Sequence, residues 1–295
     1  MNLERKLWQW AILIFLAIIW GSSFILMKKG LDSYTDYQVA AFRIFISFVA
    51  FIPLIIKNLK KLSKENVKSL LIVGFIGNAF PAILFAKGQT EISSSLAAML
   101  NTLVPVFTLV IGVIFYKIKT NIVNIFGVLI GLIGAAVLIF YSSNGSFEGN
   151  YWYSVLIVVA TMFYAINTNE VKSKLQNLSG VSVAALSFLM IGPFAGIYLI
   201  FSDFTKASES PDRLLNFGYI CALALLSSFT AIIIFNVLIK HTTALFSASV
   251  TYIIPVFAIF WGILDNETVS LIQISSVVII FLGIYLVNKK KGTQS

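Results

Sequence analysis

One pattern occurs twice in this chain, and it decides what the chain can fold into. Residues 92–140 read ISSSLAAMLNTLVPVFTLVIGVIF, a short basic loop, then NIVNIFGVLIGLIGAAVLIF. Residues 242–287 read TTALFSASVTYIIPVFAIFWGIL, a short acidic loop, then VSLIQISSVVIIFLGIYLV. Pro105-Val106-Phe107 recurs as Pro255-Val256-Phe257, and at the same spacing Phe85 meets Phe235, Ala98 meets Ala248 and Gly112 meets Gly262. Each copy is a pair of apolar runs of about 20 residues, the length at which a helix crosses a hydrocarbon layer. Each also carries a proline inside its first run, which lipid-embedded helices tolerate far better than helices in water. A duplicated, proline-interrupted membrane segment points to a transporter.

Composition agrees. The chain is 59% hydrophobic and 11% charged, with a mean hydropathy of +0.94. A soluble domain carries about 25% charged residues, so this chain has too little polar surface to cover a globule in water. A single cysteine, Cys221, excludes an intramolecular disulfide and reads as a small buried apolar residue. The single histidine, His241, excludes a histidine-based metal site, and neither a metal nor a cofactor is expected. The first apolar run is long and has no Ala-x-Ala cleavage signal after it, so it reads as a retained span.

Ten apolar runs are expected, near 7–27, 38–56, 69–86, 94–115, 122–140, 151–169, 181–201, 214–238, 244–264 and 269–287. The connections are short, so neighbouring helices run antiparallel. If the N-terminus is cytoplasmic, most Lys and Arg fall on that side, including the clusters Lys57–Lys68 and Lys289–Lys291. The opposite side receives only Lys28, Lys29, Lys87, Lys206 and Arg213. That asymmetry places both termini in the cytoplasm. It also directs the net charge of +9 at anionic lipid headgroups, with no nucleic-acid partner required.

The duplication extends further. WGSSFILMKKGL in the first run lies against YAINTNEVKSKL in the sixth, matching Trp20 with Tyr164, Ser23 with Asn167 and Lys28 with Lys172. Five spans per half, residues 1–145 and 146–295, give the second half the opposite orientation. The expected fold is therefore an all-α membrane protein of ten helices in two inverted five-helix repeats.

These features resemble the drug/metabolite transporter superfamily, in its ten-span EamA-type members. The resemblance rests on Trp20-Gly21-Ser22-Ser23-Phe24, on Ala41-Phe42-Arg43, and on the stretch 90–100 leading to Pro105-Val106-Phe107. It continues through 244–250, Pro255-Val256-Phe257, Gly262, Glu267 and Gly283. Family members often carry Gly-Glu after both proline-containing spans, whereas here the two places hold Tyr116-Lys117 and Asn266-Glu267. Glu267 is accordingly read as a helix-end acid and not assigned to ion coupling. The resemblance implies a central cavity lined by spans 1, 3, 4, 6, 8 and 9, and export or exchange of small organic solutes such as amino acids.

Polar side chains in hydrocarbon are costly unless they face protein or water, so their positions outline a cavity. The candidates are Trp20 and Ser23, Asn78 ahead of Pro81, Asn101, Tyr164 and Asn167, Ser228, and Tyr252 beside the face of Ala248 and Thr251. Serines and threonines at helical spacing serve equally well as packing surfaces. Pro105 and Pro255 each remove a backbone hydrogen bond and bend their spans, as fixed kinks or as hinges for gating. Arg43 is the one charge well inside an apolar run. It reads as a side chain snorkelling to the headgroups, an ion pair with Asp32 or Asp36, or an anchor for a substrate anion. Gly127, Gly131 and Gly134 permit close helix approach, within the chain or across a homodimer. No carboxylate lies mid-span, and Glu170 at the inner end of span 6 comes nearest. That leaves Glu170 as a boundary relay, or transport driven by facilitation or exchange.

The reading is a secondary transporter of the inner membrane, with a small-molecule substrate and lipid as its partners. A lipid-linked or nucleotide-sugar carrier is the alternative, and it calls for clustered Lys or Arg to hold phosphate. An intramembrane enzyme lacks its acid–base residues, and a scaffold without flux is distinguished only by measuring transport.

Overall fold

The computed structural model describes residues 6–142 and 151–288. The described residues form helices and connecting turns, with no strand among them. Among the described residues nine helices are long and apolar enough to cross a membrane: α1 (Leu7–Ser33), α2 (Asp36–Lys61), α3 (Val67–Gly88), α4 (Ser94–Tyr116), α5 (Ile122–Tyr141), α6 (Tyr151–Lys174), α7 (Gly180–Ile200), α8 (Arg213–His241) and α9 (Ala244–Leu264). A tenth, α10 (Leu271–Asn288), is apolar over the shorter stretch Leu271–Gly283.

Local chemistry sets the helix starts. Thr35 and Gln38 close a reciprocal capping box at the head of α2, each side chain taking the other's backbone N–H. Ser93, Ser179 and Thr243 cap α4, α7 and α9 through their hydroxyls. Helix α1 continues past Met27, where the apolar run ends, because Lys28 and Lys29 find carboxylates beside them.

The helices pack as a central group with two flanking pairs. Helix α1 lies against α8 and α9, and α6 lies against α3 and α4. Helix α2 pairs with α7, and α5 with α10. The α5–α10 pair is built on glycine. A Cβ on Gly283 would meet the Gly131 backbone nitrogen, the Gly127 oxygen at 2.6 Å and the Gly131 Cα at 2.8 Å. The glycine face of α5 is therefore occupied within the chain.

Four central helices are irregular at membrane depth. Helix α3 widens into a π-helical segment over Ile72–Ala79, and α8 does the same over Leu223–Thr230. The freed carbonyls find side chains five residues ahead: Asn78 Nδ2 donates to the Val73 oxygen at 2.7 Å, and Thr230 Oγ1 to the Leu225 oxygen at 2.9 Å. Helix α4 breaks at Thr102–Leu103, and α9 passes through a 3-10 turn at Ser249–Tyr252. Pro105 and Pro255 then stand in the first turn of the resumed helices, where a missing N–H costs nothing. The expected proline kinks are full restarts.

A candidate substrate cavity at mid-depth

Between the central helices lies a cavity of about 100 Å³. Trp20, Ser23, Asn78, Asn101, Tyr164, Asn167 and Ser228 all line it. Tyr252 does not: it turns away, its ring 6.0 Å from that of Phe281 on α10. Thr251 takes the lining position. The lining also draws on α2, through Arg43 and Ile44, and on α7, through Phe188, beyond the six helices expected. Asn236, in the apolar run of α8, is a lining amide that sequence reasoning missed. An amide inside IIIFNVL was the available signal.

The aromatic wall crosses between the halves. Trp20 of α1 meets Phe235 of α8 edge-on at 5.0 Å, and Tyr164 of α6 stacks on Phe85 of α3 at 5.7 Å. The duplication matches Trp20 with Tyr164 and Phe85 with Phe235, so the two contacts are the same pairing made once from each half. The Trp20 indole N–H donates to the Ser227 carbonyl at 3.1 Å, which frees the ring face for the cavity.

The polar lining divides into satisfied and unsatisfied groups. Ser23 donates to the Trp20 carbonyl at 2.6 Å, and Asn78 to Val73, so both serve their own helices. The amide oxygens of Asn101, Asn167 and Asn236 are buried and find no protein donor.

Arg43 is 9% exposed, and its Nε donates to Ser228 Oγ at 2.6 Å. Tyr164 stands beside it. It does not snorkel, and no described carboxylate pairs with it. Asp36, one of the two acids expected to do so, faces Lys87 at 3.4 Å. The reason is rotational. Arg43 lies on the buried face of α2 with Val39, Ala40 and Ser47, and Ser47 in turn donates to the Ala224 carbonyl of α8.

At the end of the bundle that holds the α1–α2 turn, Glu267 closes a latch. Its carboxylate accepts from the Ser94 N–H at 2.9 Å and Oγ at 2.7 Å, the Ser95 N–H at 3.0 Å and Oγ at 2.7 Å, and Lys28 Nζ at 2.8 Å. Lys28 also reaches Asp265 at 2.8 Å, and Lys29 reaches it at 2.5 Å. The carboxylate sits on the N-terminus of α4, where the helix dipole favours it. Burial alone would raise its pKa, but the bonds from Lys28, Ser95 and Ser94 outweigh burial and hold it at about 2. Near the opposite end, the buried Glu170 accepts from Ser69 of α3 and Tyr116 of α4.

With the geometry in place, the profile of the EamA-like transporter family matches residues 8–140 and 151–289. The chain belongs to the EamA-like transporter family. The uncharacterized inner membrane transporter YedA of Escherichia coli (strain K12) is 28% identical over 97% of this chain and 94% of its own. An uncharacterized transporter of Archaeoglobus fulgidus is 23% identical over 96% and 99%. The uncharacterized transporter YoaV of Bacillus subtilis (strain 168) is 25% identical over 93% and 94%. A solved crystal structure of a protein superposes with a TM-score of 0.66 over 94% of this chain and 95% of that chain, at 15% identity, a likeness of fold alone. This EamA-like chain is a transporter and a multi-pass protein of the inner membrane.

Proposed function

We propose that the chain is a secondary transporter that exports or exchanges small organic metabolites, such as amino acids or related solutes, across the inner membrane by alternating access. One observation carries this reading. A cavity at mid-depth is walled by aromatic rings and lined by the amide side chains of Asn78, Asn101, Asn167 and Asn236. Small-solute sites are built this way, from an apolar wall with a few placed polar groups.

Alternating access needs two related halves. Ten spans in two inverted repeats, residues 1–145 and 146–295 with both termini cytoplasmic, supply them. The family profile matches one segment in each half. The π-helical segments of α3 and α8 occupy corresponding places, as do the restarts of α4 and α9 at Pro105 and Pro255. Those restarts are the natural hinges. In this topology the Glu267 latch closes the outer end, and Glu170 joins α3, α4 and α6 at the inner end. The lining holds one cation, Arg43, and no Lys or Arg cluster for phosphate, which weighs against a lipid-linked or nucleotide-sugar carrier.

Counterflow into proteoliposomes loaded with a panel of amino acids, organic acids, amines, sugars and organic cations tests this. Exchange of one chemical class is the expected result. Folded protein that exchanges nothing would overturn the carrier reading.

A further inference from the structure

Resting on the topology and alternating access given under the proposed function, we propose that Glu170, Tyr116 and Ser69 form the inner gate latch, and that it yields before the outer latch at Glu267. The transporter then rests open to the cytoplasm, the side from which an exporter loads.

The two latches join corresponding parts of the two halves, with the acid moved. At the outer end Lys28 of α1 binds Asp265 and Glu267, the acids that follow α9. The duplication matches Lys28 with Lys172 of α6, and Asn266-Glu267 with Tyr116-Lys117 at the end of α4. The inner end therefore has no acid directly after its proline-containing span. The acid stands on α6 instead, two residues before Lys172, and its carboxylate accepts from Tyr116 Oη of α4 and Ser69 Oγ of α3. Helix α6 belongs to the second half and α3 and α4 to the first, so this contact closes across the halves, as the Glu267 latch does.

The latches differ in what holds them. Glu267 takes Lys28 Nζ, four bonds from Ser94 and Ser95, and the dipole of α4, while Lys29 adds an ion pair to Asp265. Glu170 is 6% exposed, and the partners it finds are two neutral hydroxyls. Lys172 turns its ammonium to the Ile239 and Lys240 carbonyls at the end of α8, at 3.1 and 3.3 Å. Asn169 adds a bond from α6 to the Thr108 carbonyl of α4 at 2.9 Å, again a neutral one. Opening the outer end breaks the three ion pairs of Lys28 and Lys29. Opening the inner end breaks no ion pair among the described residues and returns a buried carboxylate to water, where it is best solvated. The inner end is the easier one to open.

The test reads which face of the membrane reaches the cavity. Ser23→Cys in a Cys221→Ser background leaves one thiol in the chain, in the cavity lining. A charged, membrane-impermeant methanethiosulfonate is applied to right-side-out and inside-out membrane vesicles. In this parent the thiol should label at least about tenfold faster from the cytoplasmic face. Glu267→Gln should raise the rate from the outer face at least about threefold. Tyr116→Phe leaves the Glu170 carboxylate buried with one donor fewer, so it should raise the cytoplasmic rate. Adding Glu170→Gln should bring that rate back toward the parent's, because the charge that draws water in is gone. Ser69→Ala, with and without Glu170→Gln, repeats the pair of measurements from the other hydroxyl. A merely structural contact would make each double variant looser than its single one and would raise labelling from both faces alike. Faster labelling of the parent from the outer face would overturn the inference, as would a gain in the Tyr116→Phe and Ser69→Ala proteins that Glu170→Gln does not reverse. Either result leaves the carrier reading standing, since counterflow decides that separately. If counterflow fails, the carrier reading falls and this inference falls with it.

Discussion

Replacing Glu267 with glutamine should unlatch one end of the bundle, and the structure sets the scale. The carboxylate accepts five hydrogen bonds, from both hydroxyls and both N–H groups of Ser94 and Ser95 and from Lys28. Its pKa falls from 4.5 to about 2. At about 1.36 kcal/mol per pH unit that is about 3.4 kcal/mol, and screening at the membrane surface reduces it to about 2 kcal/mol. At about 2–4 °C per kcal/mol, Glu267→Gln should lower the melting temperature by about 4–8 °C. Tryptophan fluorescence of detergent-purified protein, scanned at one rate, reads it.

The sign follows from the direction of the shift. A carboxyl whose folded pKa is depressed contributes its full stabilisation above the unfolded value of 4.5 and loses it as pH falls through about 2. The gap between parent and variant should therefore be flat from pH 7.5 to 6 and shrink to roughly half or less by pH 3. Gly262→Ala gives an independent route to the same latch, because its Cβ would strike Ser95 Oγ and sit 2.5 Å from Glu267 Oε2. Combined with Glu267→Gln it should cost less than the two changes added together, since both break one network. No gap at pH 7, or a gap that stays constant down to pH 3, would refute the argument.

Gly283→Leu should splay α5 from α10, because its nearest neighbours are backbone atoms of Gly131 and Gly127 that cannot rotate away. A loss of about 2–3 kcal/mol is expected, read as a lower melting temperature and a reduced yield of monodisperse protein. Lys117 ends α4 with φ of 55°, in the left-handed region, so Lys117→Gly should raise stability by about 1 kcal/mol in the same melt. Thr35→Ala removes one side of the capping box at α2 and should cost about 1 kcal/mol.

The sequence carried the apolar runs and seven of the eight candidate lining residues, because hydrocarbon forces polar groups inward whatever the helix. It misplaced the residues next to irregular backbone. At the roughly 100° per residue of an α-helix Tyr252 falls beside the face of Thr251, but the 3-10 turn here advances about 120° and carries the ring toward Phe281. Arg43 resembled a snorkelling side chain because the run shows distance to the headgroups and does not show rotation. Only the packing of α2 on α8 shows that it points inward. The π-helical segments left no residue signature at all, since they answer to tertiary contacts rather than to propensity.

The placement of these irregular segments carries a last prediction. Among the described residues, the interior departures from α-helix lie at 72–79, 102–103, 223–230 and 249–252, all in α3, α4, α8 and α9. Backbone of this kind survives at membrane depth only where protein or a cavity covers it, and all four helices border the cavity. Their amides lack the regular ladder that runs unbroken by proline through α1 and α6, so they should open more easily. Hydrogen–deuterium exchange in nanodiscs should therefore be faster at these four segments than at the middles of α1 and α6. A transported solute should slow it there first, because the solute completes the surface those segments leave open. Uniform exchange across the helices, or solute protection confined to the helix ends, would separate the irregular backbone from transport.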